Sequence, residues 1–225
     1  LEVVLDQDGN FLVGRSKALN AFDSPTIIPA TESSAGRTRG IVPHPLCEEI
    51  GYCASDYPNI DTKKVNAYME QLEEWNNFSG HPKLKAVLNY LKKGKLWADL
   101  SSEHEFPLKI LKADGKTSQK IAAEKVFIRW RVEEPRNPVS GTWEDIDLIT
   151  SWISFDCNHN SKDDFCFVKG DIERITSNHP RFLRRPGDGA KLVSSNDEAG
   201  FTFLGRFTDK TGSQCAGVSF DVSQK

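Results

Sequence analysis

The chain has 225 residues, of which 38% are hydrophobic and 27% charged, enough for one large domain or two small ones and for a core without disulfide staples. Mean hydropathy is −0.49, and no apolar run approaches the roughly 20 residues of a membrane helix, which excludes a membrane span. Lys and Arg number 29 against 32 Asp and Glu, a net charge of −3, which argues mildly against a nucleic-acid binder.

The charges are unevenly spread. Residues 1–61 carry 4 basic and 9 acidic side chains, 62–98 carry 7 and 3, 99–177 carry 11 and 15, and 178–225 carry 7 and 5. A polyanion would therefore meet 62–98 and 178–225, although a charge run is more often a solvated face. Five cysteines (Cys47, Cys53, Cys157, Cys166, Cys215) form no CxxC pair; isolated thiols in odd number fit a reducing cytoplasm. The chain opens on Leu1 without a charged-then-apolar leader and reads as an excised piece of a longer protein.

In chain order, Glu2–Asp6 and Phe11–Val13 flank Gln7-Asp8-Gly9-Asn10, the signature of a hairpin whose turn tolerates positive φ. Residues 31–40 have no apolar periodicity and read as a glycine-bounded loop carrying Arg37 and Arg39. A helix follows with Asp61 as N-cap and a stripe of Val65, Tyr68, Met69, Leu72 and Trp75. A second helix starts at Pro82, buries Leu84, Val87, Leu88 and Leu91, and stops near Gly94. Residues 61–94 thus form a helical hairpin. Lys83, Lys85, Lys92, Lys93 and Lys95 crowd the remaining face, and late cations also suit a helix C-terminus.

Residues 126–132 start apolar and then alternate, as a half-wet strand does. Ile146, Ile149, Trp152 and Ile153 predict a short helix with Thr142 as N-cap and Asp145 in its first turn. Phe165–Val168 is a predicted strand closed by Gly170, and 191–194, 201–204 and 216–220 read as short extended segments. No βαβ alternation emerges, so the fold class is α+β with mixed, mostly antiparallel short strands.

Active-site motifs are missing. Residues 156–161 open like a calcium loop, but Ser161 and Phe167 stand where that loop needs Gly and Glu. Cys157, His159 and Cys166 lack a fourth ligand at zinc spacing. No nucleophile elbow, HExxH, Walker loop or dinucleotide fingerprint accompanies the histidines. The chain reads as non-catalytic, with no cofactor implied. The densest site-like stretch places Arg181, Arg184 and Arg185 around Phe182 and Leu183, then Lys191, Ser194, Ser195 and Asn196, then Arg206 among Phe201, Phe203 and Phe207. Cations contact phosphates, Ser and Asn reach phosphates or base edges, and aromatics stack on unpaired bases. The same residues are equally compatible with an aromatic core beneath solvated arginines.

Cys166–Asp171, His179-Pro180, Lys191–Asp197, Gly200–Thr202 and Gly205–Phe207, in that order, resemble the large subunit of the type I-C CRISPR surveillance complex, the Cascade assembly. Residues 126–132 with Trp143, the stretch from Pro45 to Tyr52 as an early helix, and the hairpin at 2–14 resemble upstream parts of that family, and Ser223-Gln224-Lys225 resembles a point just before its helical C-terminal part. The resemblance implies that 1–225 is the N-terminal DNA-recognition domain of a longer large subunit, cytoplasmic and prokaryotic. It would recognise the protospacer-adjacent motif in double-stranded target DNA and help open it. Its implied partners are the guide RNA 5′ handle, the handle-binding and backbone subunits, and a helicase-nuclease recruited in trans, with no membrane. By the same resemblance Lys191, Ser194, Ser195, Asn196 and Arg206 match the family motif: Asn196 or Ser195 for a base edge, Lys191 and Arg206 for phosphates. Arg37 and Arg39 are a second candidate for groove entry, and the five helical lysines would steer DNA non-specifically. An assembly scaffold without base reading is the alternative. A stand-alone hydrolase or nuclease would need a ligand set that this sequence does not offer.

Overall fold

The computed structural model describes residues 1–20, 23, 26, 31, 34, 40–111, 118–159, 163–176, 179 and 217–224. The chain divides into two compact units, Leu1–Pro29 with Gly40–Phe155, and Ala30–Arg39 with Asp156–Lys225. Helices and short strands in small sheets make the fold α+β.

The first unit is organised by a three-stranded sheet. β1 (Glu2–Asp6) and β2 (Cys47–Glu49) flank a third strand contributed much later in the sequence, Phe127–Glu133. Between them run α1 (Ile50–Cys53), α2 (Thr62–Ser79), α3 (Pro82–Leu91), α4 (Leu96–Glu103), a two-stranded ribbon of β3 (Leu108–Leu111) and β4 (Ser118–Ile121), and a 3₁₀ turn at Ala123–Lys125. The late strand is β5. It pairs with β1 in parallel, Val4 opposite Arg131, and with β2 antiparallel, Cys47 opposite Arg129. Ile128, Trp130 and Val132 face the core and are fully buried, the alternation expected of a half-wet strand.

The helical hairpin forms as expected. The Asp61 side chain accepts from the Lys63 amide at 3.1 Å, and Val65, Tyr68, Leu72 and Trp75 form the buried face of α2. Pro82 occupies the first turn of α3, where His81 accepts from the Lys83 amide. Trp75 packs edge-on to Trp152 at 4.9 Å, and Tyr90 edge-on to Trp130 at 5.9 Å. Burying each such ring contributes about 2–3 kcal/mol.

Several local expectations need correction. The turn after β1 is present, with Asp6 accepting from the Asp8 and Asn10 amides, but the return leg makes only a bridge, Phe11 to Leu5. Val13 is 81% exposed, so nothing draws the segment into a full strand, and β1 finds its ladder partner in β5 instead. The stretch from Pro45 to Tyr52 divides between strand β2 at Cys47–Glu49 and the single turn of α1 at Ile50–Cys53, so the expected early helix is present only in its last turn, around Tyr52. The late helix α5 (Ile146–His159) is 14 residues long and is capped by Asp145, whose carboxylate accepts from the Leu148 amide at 3.1 Å. Thr142 instead donates its hydroxyl to the Trp130 carbonyl. Leu148, Trp152 and Phe155 are buried, while Ile146 and Ile153 are exposed, so the apolar stripe lies about 100° round the helix from the one predicted.

The second unit holds a hairpin of β6 (Asp163–Phe165) and β7 (Ile172–Arg174) and a short α6 (Phe220–Gln224). The strand expected over 165–168 ends at Phe165, because residues 167–169 turn back towards β7. Over the described residues 217–220, Ser219 bridges to Ile175, the Gly217 and Val218 carbonyls accept from the Phe167 and Thr176 amides, and Phe220 opens the helix. The segments predicted at 191–194 and 201–204 lie outside the described residues.

Gly9 shows how tightly the turn after β1 is seated. It has φ +79°, and a Cβ there would stand 2.3 Å from the Ala86 carbonyl oxygen on α3, whereas Gly14, at φ +75°, has open space around it. Gly14→Ala should cost only the left-handed penalty, about 1–2 kcal/mol, and Gly9→Ala clearly more. Urea unfolding of the two variants checks this; equal losses would contradict the seating.

Candidate nucleic-acid interface

The five helical lysines do not form one solvated steering face. Lys83 is fully buried; its ammonium donates to Asp145 and, at 2.5 Å, to the Val139 carbonyl. It joins the start of α3 to the segment leading into α5 and presents no charge to solvent, which corrects its assignment as a phosphate contact. A buried cation is tolerated only when paired and hydrogen-bonded in this way. Burial pushes the Asp145 carboxyl up, but the Lys83 hydrogen bond and the Leu148 amide more than offset that and hold it below its ordinary range. Lys93 donates at 2.7 Å to both the Gly9 carbonyl and Asn10 Oδ1, tying the turn after β1 to the end of α3. Lys92 pairs with Glu73 at 2.8 Å. Lys85 and Lys95 are exposed.

Cations also appear on the outer face of β5, where Arg129 and Arg131 converge on Glu2. Arg129 donates through Nε and Nη2 to Glu2 Oε2 at 3.0 and 2.7 Å and through Nη1 to Thr26. Arg131 donates to Glu2 Oε1 at 3.0 Å and to the Ser140 hydroxyl. Both guanidinium groups lie over the Trp143 ring, at 3.9 and 5.0 Å from its centroid. Burial pushes the Glu2 carboxyl up, but hydrogen bonds from Arg131 and Arg129 outweigh it, and the group stays below the ordinary carboxylate range. Beside Arg129 lies a cavity of about 390 Å³ walled by Leu108, Ile121, Val126 and Phe127, with Lys109 and Lys125 also in its lining. Burial pushes the Cys47 thiol in its wall up to about 11, which favours its protonated form at neutral pH. The alternation of 126–132 in the sequence already marked an outward face; Arg129, Arg131, Lys109 and Lys120 were not singled out there, because the ribbon that carries the two lysines has no clear apolar period.

In the second unit Cys166 is buried. Burial raises its thiol, and the backbone N–H groups of Lys169, Ser219 and Val168 more than offset this and bring it down to about 7. Arg174 pairs with Asp156 at 2.7 Å and lies over Phe220, and His179 shares a hydrogen bond with Ser223. Phe165, Phe167, Val168 and Ile172 are all exposed, between 44% and 71%, and the two phenylalanine rings meet edge to face. Arg37, Arg39, Arg181, Arg184, Arg185, Lys191, Ser194, Ser195, Asn196 and Arg206 lie outside the described residues. Among the described residues the four cysteines are free, no three His, Cys, Asp or Glu gather as a metal site, and no helix is long and apolar enough to cross a membrane.

The Glu2 cluster gives a pH signature. A carboxyl whose folded pKa is depressed contributes stability that is full above its unfolded pKa, about 4.3, and is lost as pH falls through the folded value. Glu2→Gln should therefore destabilise by about 3 kcal/mol near pH 7, since it leaves two largely enclosed arginines without their counter-ion. The gap to wild type should close below about pH 4. Urea titrations across this range measure it, and a gap that is the same at both ends would refute the cluster's ionic character.

These cations and the apolar cavity beside them are features a nucleic-acid assembly can use, and comparison with known proteins bears on which one. No curated protein matches the chain. The family model described as CRISPR-associated protein (Cas_Csd1) matches residues 1–225, the whole chain. The chain therefore belongs to the CRISPR-associated Csd1 family, whose members are Cascade-type large subunits.

Proposed function

We propose that this chain is a non-catalytic, DNA-recognising part of a type I-C surveillance complex, reading the protospacer-adjacent motif in double-stranded DNA and helping to start unwinding in antiviral defence. The observation that carries the reading is the ordered run from Cys166 to Phe207 within a chain that matches the family over its full length. Asn196 or Ser195 takes a base edge, Lys191 and Arg206 take phosphates, and Ser194 is a further DNA contact. Arg37, Arg39, Arg181, Arg184 and Arg185 are further backbone contacts. Guide RNA, the handle-binding and backbone subunits and a helicase-nuclease recruited in trans are its partners, in a prokaryotic cytoplasm.

The physical case is energetic. Exchanging a DNA duplex for an RNA–DNA hybrid is nearly balanced, so a few protein contacts at the motif suffice to tip initiation. A chain of net charge −3 can supply those contacts from a small local set of cations without a basic surface overall.

A second reading, an assembly scaffold on the guide 5′ handle and a neighbouring subunit, draws on a different observation. Phe165, Phe167, Val168 and Ile172 are exposed within eight residues of the second unit, and clustered exposed apolar side chains mark protein-docking surfaces.

Binding of the reconstituted complex to duplexes differing only in the adjacent motif, at fixed salt, separates the two. Asn196→Ala should abolish the motif preference, worth about 1–3 kcal/mol per base pair read. Lys191→Ala should weaken all duplexes alike and lower the salt slope by about 0.9. Normal assembly with full preference and affinity in both variants would leave the scaffold reading in its place.

A further inference from the structure

A basic β-ribbon stands beside the cavity of the first unit, and the proposed function makes no use of it. β3 and β4 pair antiparallel with Leu108 opposite Ile121 and Lys109 opposite Lys120. Leu108 is buried in the core and Ile121 packs partly against it, which anchors the base of the ribbon. Lys109 and Lys120 are both exposed. Directly opposite residues share one face of a ribbon, and like charges so placed cost stability unless an anion lies between or beside them. Lys125 follows within a few residues of β4, its side chain 57% exposed, with the largely enclosed Glu49 carboxylate (15% exposed) at 3.3 Å; with its ammonium mostly in solvent, Lys125 can still meet a second anion.

Next to these cations the cavity offers a second kind of surface. Leu108, Ile121 and Phe127 wall it, and Lys109 and Lys125 contribute to its lining. Phe127 is 42% exposed, an aromatic left open on the outer face of β5. The volume of about 390 Å³ falls in the range of about 300–1,000 Å³ that suits small ligands. Arg129, in its floor, is committed to Glu2 and Thr26, so the walls offer shape and an aromatic face in place of a set of free hydrogen-bonding groups.

From this juxtaposition we infer that the β3–β4 ribbon and the cavity beside it bind a single-stranded stretch of nucleic acid, with phosphates on Lys109, Lys120 and Lys125 and one unstacked base in the cavity against Phe127. A polyanion with flat apolar rings matches both halves of the site. An apolar peptide would leave the lysine pair uncompensated, and a small anion would leave the cavity unused. The strand must be unpaired, because a base inside a duplex is stacked on both sides and cannot enter. Apolar walls read no base edge, so the contact is tolerant of sequence, as aromatic stacking platforms are. This inference rests on the reading that the chain works inside a nucleic-acid complex. It does not depend on motif reading at 191–206. Two strands in such a complex have the required chemistry, the guide RNA 5′ end and a displaced DNA strand.

The test uses the complex assembled from the full-length chain, with Phe127 replaced by a benzophenone amino acid and with the guide RNA and each DNA strand separately labelled. Irradiation should join the chain to one labelled strand, RNA or DNA, with similar yield when the sequence of that strand is changed. In parallel, Lys109→Gln with Lys120→Gln should lower the salt slope of that strand's binding by about 1.4, two single-strand phosphates at about 0.7 each, while preference for the adjacent motif stays intact. Adducts confined to a protein subunit, no adduct with any strand, or an unchanged salt slope would each overturn the inference. Loss of motif preference in wild type with the strand adduct retained would overturn motif reading and leave this site standing.

Discussion

The first unit depends on the two faces of β5. Seven residues supply the strand that pairs with both β1 and β2, and their alternation places Ile128, Trp130 and Val132 in the core. The other face presents Arg129 and Arg131 to a single carboxylate, Glu2, contributed by the parallel neighbour. A one-residue slip would turn every side chain over, moving two arginines from their counter-ion into the apolar core and a tryptophan out of it. The ion cluster therefore fixes the register of the parallel pair as well as adding stability, and the cavity beside Arg129 takes its shape from the same strand.

Charge is used economically. Lys83 is enclosed with Asp145 and holds two helix starts together, and Lys93 pins the turn after β1. Such cations are part of the fold and are not available to a polyanion. Among the described residues, Lys109, Lys120 and Lys125 remain outward beside the cavity. This is how a chain with a net charge of −3 can still meet nucleic acid: overall charge sets long-range steering, whereas contact is decided by local cations placed where a phosphate can reach them.

Much of the helical hairpin was legible in the sequence, because Asp61, Pro82 and the apolar spacing of 65–75 and 84–91 act locally and all point to the same elements. Parallel pairing of β1 with β5 was not, since it joins residues about 127 apart and leaves no local mark beyond an apolar run. The phase of α5 went astray because Ile146 and Ile153 are apolar yet exposed, while the informative residue was Asp145, a cap one step before the helix. For the lysines, sequence gave density without direction. Lys83 lies on the same crowded stretch as Lys85, and only packing distinguishes a buried tether from a solvated charge. The β3–β4 ribbon escaped notice because strands this short have little periodicity to read. The family, by contrast, was legible from the ordered motifs between Cys166 and Phe207, and the family match over 1–225 agrees with it.

The proposed binding site divides the cations of this chain into those spent on the fold and those left for nucleic acid. Lysine acylation of the assembled complex, with and without guide RNA and target DNA and read by mass spectrometry, tests that division residue by residue. Lys109, Lys120 and Lys125 should be reactive in the protein alone and protected when nucleic acid is bound, with Lys83 unreactive in both states and Lys85 and Lys95 reactive in both. Protection confined to Lys85, Lys92 and Lys95, with Lys109 and Lys120 unchanged, would contradict it and return the polyanion to the helical hairpin.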